Sequence, residues 1–199
     1  LVSGNMVSII DTRLYLPKSW TDDPARCKKV RIPEEGCVFK TKTELALDII
    51  VAQRAAGIRF DWINADGLYG NDSKLLSKLD ELNELYVIDI HSTQTIFLEP
   101  VELKVKEKTS VKGKTPTRLL PDKKSMKASV HMAALSYKDW EKVKLRKGTK
   151  GVLKVETYTK HVYVLDTAEN KCSARLLIVS RKKGNKNQWE YKYSFSNAK

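Results

Sequence analysis

The segment FDWINADGLYGND (60–72) contains the residue types, in the order, that a metal or phosphate site needs. Asp66 follows a short apolar stretch that predicts a buried strand, and Gly67 and Gly70 allow a backbone or a substrate to approach closely. In open α/β sheets, groups that bind ligands lie at the carboxyl ends of strands. Asp66 is therefore a candidate metal ligand, although it could equally cap the turn that follows it.

The second half of the chain is strongly basic. Residues 1–99 contain 12 Lys and Arg against 15 Asp and Glu, a net charge of −3, whereas residues 100–199 contain 25 against 9, a net charge of +16. This asymmetry favours a polyanionic partner such as DNA, because Lys and Arg side chains release counterions from phosphates. The alternative is a solvated lysine-rich surface that only keeps the protein soluble.

Candidate phosphate contacts come from lysine-rich clusters in this half, and any single lysine could instead be solvated. Lysines two residues apart on a strand predicted over 102–108 share one face, as a surface along a DNA backbone requires. Trp140 could stack on a base or pack beneath the basic strands. The predicted DNA-binding residues are Lys104, Lys106, Lys112, Lys114, Trp140, Lys142, Lys144, Arg146 and Lys147.

Composition and motifs exclude several functional classes. With 41% apolar and 31% charged residues, the chain has a globular composition, and no apolar run approaches the roughly 20 residues that span a bilayer. No Gly-rich nucleotide loop, serine-hydrolase elbow or zinc-protease motif occurs.

Three cysteines without a CxxC pair favour reduced thiols in a cytoplasmic protein. His91 is either a group at the ligand edge of the sheet or a plain surface residue.

Changes in hydrophobic period outline the elements that position these residues. The first part alternates strands and helices, which predicts an α/β layer with parallel pairing, and the second part predicts a mostly antiparallel β block. The predicted elements are a strand at 7–16, a loop at 17–40, a helix at 43–56, a strand at 60–66, a turn at 68–72, a helix at 73–83, a strand at 86–90, one or two helices within 126–143, and strands at 151–166, 174–181 and 188–196.

Three stretches together resemble the DDE transposases of bacterial insertion sequences: IDTRLYLPKSWTDDPARC (10–27), FKTKTELALDIIVAQRAAGI (39–58) and FDWINADGLYG (60–70). The similarity is greatest to the branch whose catalytic domain is interrupted by a β-rich insertion. The resemblance implies a partial RNase H-like core, a mixed sheet with helices, over residues 1–95. It implies a basic β-rich insertion over residues 96–199.

The same resemblance implies a catalytic site of two Asp and one Glu that holds two Mg²⁺ or Mn²⁺ ions. Asp66 matches the second Asp and so takes the role of a catalytic metal ligand. The other two acids have no match; Asp11 is a weaker substitute, and Glu190 lies in a strand-like stretch.

The resemblance implies metal-dependent DNA strand cleavage and transfer in the intact protein, with transposon ends as the partner and a homodimer assembled on DNA. We expect this piece alone to be an inactive fragment. The alternative is a non-catalytic nucleic-acid-binding module that uses the basic β-rich half, with Asp66 in a structural role.

Overall fold

A computed structural model describes residues 1–4, 6–105, 117–148, 151–166, 169–184 and 186–199, and for 146–148 it describes the backbone alone. The chain divides into two compact units, Leu1–Asp61 and Trp62–Lys199. Helices and a mixed sheet make up the described residues, an architecture consistent with an RNase H-like fold, so the predicted α/β class is confirmed. No described helix is long and apolar enough to cross a membrane.

The first unit opens with a minimal hairpin and not with the strand predicted over 7–16. β1 (Val2–Ser3) pairs with β2 (Met6–Val7), and the chain from residue 8 to residue 17 has no regular structure. Ile9 is 83% exposed. The β-branched residues of this stretch have the right propensity, but a strand also needs a neighbour to receive its hydrogen bonds, and the described part of this unit offers none beyond β1.

Helices follow within the first unit. The predicted loop at 17–40 contains α1 (Lys18–Thr21), α2 (Pro24–Lys29) and a 3-10 helix at Glu34–Gly36. The predicted helix at 43–56 is confirmed as α3 (Lys42–Ala55). Its start is fixed by a capping box, because the Thr41 hydroxyl accepts from the Glu44 amide at 3.2 Å and the Glu44 carboxylate accepts from the Thr41 amide at 2.7 Å.

Two of the three cysteines are joined. Cys27 on α2 and Cys37 after the 3-10 helix form a disulfide, with Cα atoms 6.6 Å apart, and Cys27 is only 2% exposed. Cys172 is free. The prediction of reduced thiols is therefore wrong for this pair, because the fold brings together two cysteines whose spacing carries no recognised motif.

The second unit is built on one six-stranded sheet. Its strand order is β3-β4-β12-β11-β10-β9, in which β3 and β4 run parallel and every other neighbouring pair is antiparallel. The strands are β3 (Ile63–Ala65), β4 (Tyr86–Ile90), β9 (Glu141–Gly148), β10 (Gly151–Asp166), β11 (Lys171–Lys183) and β12 (Trp189–Ser196).

The parallel pair follows the sequence prediction closely. Between β3 and β4 lie α4 (Gly67–Gly70), where a turn was predicted, and α5 (Ser73–Glu81), which matches the predicted helix. Asp72 caps α5 by accepting from the amides of Lys74 and Leu75 at 3.0 and 3.1 Å. The strand predicted over 86–90 is β4 itself.

Shorter elements connect the parallel pair to the long strands. Where one or two helices were predicted over 126–143, the chain forms α6 (Ala128–Ala133) and a 3-10 helix at Tyr137–Asp139, and residues from Glu141 onward join the sheet as β9. The connecting strands are β5 (Thr95–Ile96), β6 (Leu103–Val105), β7 (Leu119–Pro121) and β8 (Met126–Lys127).

The basic strands continue the sheet of the α/β layer directly, because β12 pairs with β4. Ile88, Phe195 and Leu177 lie in one cross-strand row and have no exposed surface, so a common core runs through both parts. The division at 95/96 into core and insertion stays a prediction.

Candidate functional site

Asp66 lies directly after β3, at the strand end where the sequence placed it. It is the N-cap of α4, and its Oδ1 accepts from the Leu68 amide at 2.9 Å. The residue is exposed, and within the described part of the chain Oδ2 accepts no hydrogen bond. The capping role is therefore confirmed, and it leaves one carboxylate oxygen facing solvent.

A cleft of about 710 Å³ opens beside Asp66. β3 and β4 run parallel with Ala65 opposite Ile88, so both strands end at the same edge of the sheet. His91 follows β4 there and lines the cleft together with Asp66. The other polar residues of its lining are Asp89, Ser92, Ser129, Tyr191, Lys192 and Tyr193.

The turn that carries Asp66 is held against the end of β4. The Asn71 side-chain amide donates to the Gly67 carbonyl, and its Oδ1 accepts from the His91 amide at 3.3 Å. Gly70 packs on β4 so closely that a Cβ there would lie 1.9 Å from the Asp89 carbonyl oxygen. The motif therefore fixes the position of Asp66 relative to the cleft through backbone contacts.

The second acid of the cleft, Asp89, already has two partners. Its Oδ1 accepts from the Ser194 hydroxyl at 2.8 Å, and its Oδ2 lies 2.9 Å from the Lys192 ammonium group. Both partners belong to β12, so the last strand of the chain supplies one wall of the cleft. Asp66, by contrast, has one carboxylate oxygen, Oδ2, that accepts no hydrogen bond in the described part of the chain.

A basic groove of about 630 Å³ lies across the ends of β9, β10 and β11. Val143 and Val155 contribute apolar surface, and the charged lining consists of five lysines and one arginine against a single acid, Glu156. The basic groove is defined by Lys142, Lys144, Lys154, Glu156, Arg181, Lys182, Lys183 and Trp189.

The one acid of the basic groove forms an ion pair within the groove. Glu156 forms an ion pair with Arg181 at 2.7 Å, and the same guanidinium lies 3.9 Å from the Trp140 ring centroid and 4.3 Å from that of Trp189. Such contacts between a guanidinium and aromatic rings stabilise the charge without neutralising it. Trp140 is thus half-buried at the margin of the basic groove, with Arg181 against its ring.

Three lysines of the basic groove have no acidic partner in the described part of the chain. Lys144 lies directly opposite Lys154 across β9 and β10, and Lys142 is the next outward-facing residue on β9. All three are exposed. Like charges directly opposite each other destabilise a sheet, and a bound polyanion relieves that repulsion.

Comparison with known proteins shows the family of this chain. The sequence model of the DDE superfamily endonucleases matches residues 1–152, more than half of the chain. The chain belongs to that family. It is also 35% identical, over 68 residues, to a probable transposase for insertion sequence element IS701 from Microchaete diplosiphon. The match covers 34% of this chain and 18% of the relative, and no solved structure is significantly similar.

DDE endonucleases generally use divalent metal ions. Asp66 offers an exposed carboxylate oxygen, which is the donor type that Mg²⁺ prefers. In the described residues, however, no group of three or more His, Cys, Asp or Glu side chains is placed to hold a metal. The described residues of this chain therefore contain no complete metal centre, and Asp66 is the candidate ligand among them.

The other predicted residues are distributed differently. Trp140, Lys142 and Lys144 lie together at the basic groove, whereas Lys104 is on β6 and pairs with Glu102 at 2.8 Å, a contact that raises the pKa of Lys104. Lys106, Lys112 and Lys114 lie outside the described residues. Arg146 and Lys147 belong to β9, and their side chains are not described.

The lining of the cleft includes neither Asp11, the weaker substitute for a missing acid, nor Glu190, which the sequence placed in a strand. In the first unit, the Asp11 carboxylate is 2.7 Å from Arg13, accepts from the Gln53 side chain at 2.9 Å, and is 10% exposed, so it links the irregular N-terminal stretch to α3. Glu190 is on β12, as its strand-like sequence indicates, and pairs with Lys182 at 3.3 Å.

Sequence reasoning missed several residues that line or support the cleft and the basic groove, namely Asn71, Asp89, Lys154, Arg181, Tyr191 and Lys192. Asn71 and Asp89 stand inside segments interpreted as a turn and a strand. The positions of the others depend on strand register. The hairpin turn near residue 170 is a sequence signal that could have placed Glu156 opposite Arg181. Trp189 also lines the basic groove.

Proposed function

We propose that this chain is part of a DNA transposase in which Asp66 is a metal ligand and the basic groove binds DNA. The observation that carries the proposal is the position of Asp66, exposed at the carboxyl end of β3 beside the cleft, in a chain of the DDE endonuclease family. Metal-dependent strand cleavage and transfer then belong to the intact protein.

The choice of metal follows from the donor. Carboxylate oxygen is a hard ligand, so Mg²⁺ or Mn²⁺ is the expected ion. When bound in a complete site, a pair of such ions would supply activation of a water or a 3′-hydroxyl and stabilisation of the leaving oxygen. Because a two-ion centre needs more than one carboxylate, this chain alone is expected to bind metal weakly and not to cleave DNA.

The residues around Asp66 orient it. The Leu68 amide holds Oδ1, and Asn71 fixes the turn against β4, so the carboxylate is held beside the cleft while Oδ2 accepts no hydrogen bond from the described residues. Lys192 sits 2.9 Å from Asp89 and keeps that acid ion-paired. In the proposed function the cleft therefore presents a single available carboxylate oxygen with a cation nearby, which suits a metal ion and a phosphate together.

DNA binding is assigned to the basic groove because its cations exceed its acids and its one acid is paired. Lysine contacts to phosphates position a nucleic acid without reading its sequence. The expected DNA partner is a transposon end, with a homodimer assembled on it as part of the same proposal. The fragment from Trp62 to Lys199 contains both the cleft and the basic groove.

The metal role of Asp66 is tested by adding Mn²⁺ to the ¹⁵N-labelled chain. The paramagnetic ion broadens the amide resonances of residues close to it, so Gly67, Leu68 and His91 are expected to broaden first. Asp66→Asn should abolish this broadening, since it removes the charged oxygen and keeps the shape. Asp61→Asn, which changes an exposed acid outside the cleft, is the matched control and should leave it unchanged.

The alternative function, a non-catalytic nucleic-acid-binding module, predicts a different result. Asp66 then serves only as the cap of α4, so Mn²⁺ broadens no resonance at the cleft, or broadens the same ones in Asp66→Asn. DNA binding through the basic groove would persist in that case.

A further inference from the structure

The first unit, Leu1–Asp61, has a very small apolar core. Among its described residues, Leu16 and Cys27 are the only buried apolar side chains. The helix α3 buries none of its residues, and Cys27 is the one buried residue of α2. A unit of about 60 residues that buries so little apolar surface needs a further source of stability, and in small domains a disulfide is a common one.

The bond between Cys27 and Cys37 closes a short segment that contains the end of α2 and the 3-10 helix. The two cysteines are 10 residues apart in sequence. Inside the segment the Ile32 amide donates to the Cys27 carbonyl at 3.0 Å, and the Cys37 amide donates to the Glu34 carbonyl at 3.0 Å. Arg31 has a φ of 60°, in the left-handed region that is unfavourable for a residue with a Cβ. The disulfide offsets this cost by holding the segment closed.

The Cys27 sulfur also has a partner for its reduced state. It lies 3.3 Å from the Trp20 carbonyl oxygen, within the distance at which a thiol donates a hydrogen bond to oxygen. Cys27 is 2% exposed, whereas Cys37 is half-buried and can be reached by a small thiol or disulfide. Because access decides which sulfur takes part first in thiol–disulfide exchange, the reaction begins at Cys37.

We propose that Cys27 and Cys37 form a reversible thiol–disulfide site, whose oxidation orders residues 17–37 and whose reduction loosens them. Glutathione disulfide represents the class of oxidant. The Cys37 thiolate attacks one of its sulfur atoms and releases one glutathione thiol, and the Cys27 thiolate then attacks the Cys37 sulfur and releases the second. The two cysteine thiols lose two protons and two electrons in total, and one glutathione disulfide becomes two thiols. A dithiol reverses both steps.

The closed segment contains its own reporter of order. Lys28, Lys29 and Arg31 lie between the two cysteines and are exposed, and trypsin cleaves after each of these residue types. A protease needs a locally unfolded stretch of chain, so the rate of cleavage at these positions measures how often the segment opens. Cleavage after Lys182 and Lys183 of the second unit gives an internal reference in the same digest.

The test treats the full chain with glutathione disulfide or with dithiothreitol and removes the reagent before each measurement. Alkylation followed by intact mass counts the free thiols, and we expect one after oxidation, Cys172, and three after reduction. Limited digestion with trypsin should cut the segment between Cys27 and Cys37 roughly tenfold more slowly in the oxidised chain. The reference cuts in the second unit should proceed at the same rate in both states.

Two variants separate the bond from other effects. Cys37→Ser prevents the bond and leaves the buried Cys27 thiol beside the Trp20 carbonyl. It should be cut at the fast rate with and without oxidant. Cys172→Ser is the matched control, because it removes the free cysteine and should keep the full difference between the two states.

Three free thiols after treatment with glutathione disulfide would overturn the proposal, because the pair would then not form a bond. Equal cleavage rates in the oxidised and reduced chains would overturn it too, since the bond would then not order the segment. Both comparisons use the unmodified chain, so they stand even where Cys37→Ser fails to fold. Neither result bears on the metal role of Asp66 or on DNA binding by the basic groove.

Discussion

Changing Lys142, Lys144 and Lys154 together to Ala is expected to make the negative slope of log K against log salt for DNA binding shallower by about 3. Each lysine that contacts a phosphate releases close to one counterion, and these three have no acidic partner in the described part of the chain. Affinity should fall to a similar degree for any DNA sequence, because phosphate contacts carry no base information. Anisotropy titrations over a series of salt concentrations measure both quantities.

The control for this variant changes Lys28, Lys29 and Lys74 to Ala, which removes the same charge from exposed positions outside the basic groove. Its slope should stay close to that of the unmodified chain. If the slope becomes shallower by the same amount in both variants, DNA binding depends on the net charge of +13 and not on the residues of the basic groove. If the slope changes in neither variant, DNA contacts other residues, and the assignment of DNA binding to the basic groove is wrong.

Gly70→Ala is expected to destabilise the second unit by about 3 kcal/mol, at the upper end of the range for overpacking. A Cβ at this position would meet the Asp89 carbonyl oxygen at 1.9 Å and the Ile88 side chain at 2.9 Å. Backbone cannot move aside as a side chain does, so α4 must separate from β4 and carry Asp66 with it. A thermal melt should show a midpoint lower by roughly 10 °C.

Gly184→Ala serves as the comparison within the same unit. There the three atoms nearest to the added Cβ would all belong to the Glu190 side chain, which is 57% exposed and can turn away by giving up its surface ion pair with Lys182. We expect a change below about 1 kcal/mol. Similar losses in both variants would mean that general glycine effects, and not the contact between α4 and β4, determine the cost.

Much of the α/β layer could be predicted from the sequence, because its signals are local. The apolar series at 43–56 predicts one helix and that at 73–83 another, and the apolar run at 86–90 is a buried strand whatever surrounds it. The position of Asp66 at a strand end follows from the same reasoning. These features depend on residues within one or two turns of each other.

What could not be predicted depends on partners distant in sequence. The stretch at 7–16 has strand propensity but lacks a described neighbouring strand, and residues 141–143 join a strand because β10 is there to pair with them. Asp89 is drawn into the cleft lining by a strand more than 100 residues later, through Ser194. No local pattern encodes such pairings, since register is fixed by the assembled sheet.

The basic half illustrates the same distinction for function. Net charge predicts a polyanionic partner, and Lys142 and Lys144 do lie in the basic groove, but Lys104 is ion-paired with Glu102. Sequence alone treats these lysines alike. The fold separates them by the acids it places nearby, and it adds Lys154 to the groove through the β9–β10 pairing.

Hydrogen exchange of the chain with and without DNA tests the central claim most directly, because it locates the bound DNA on the backbone. The account predicts slower exchange at 66–71 and at 91–94, together with residues 142–144 of the basic groove. Slower exchange confined to the basic groove, with the Asp66 turn and the end of β4 unchanged, would contradict it and favour the non-catalytic module.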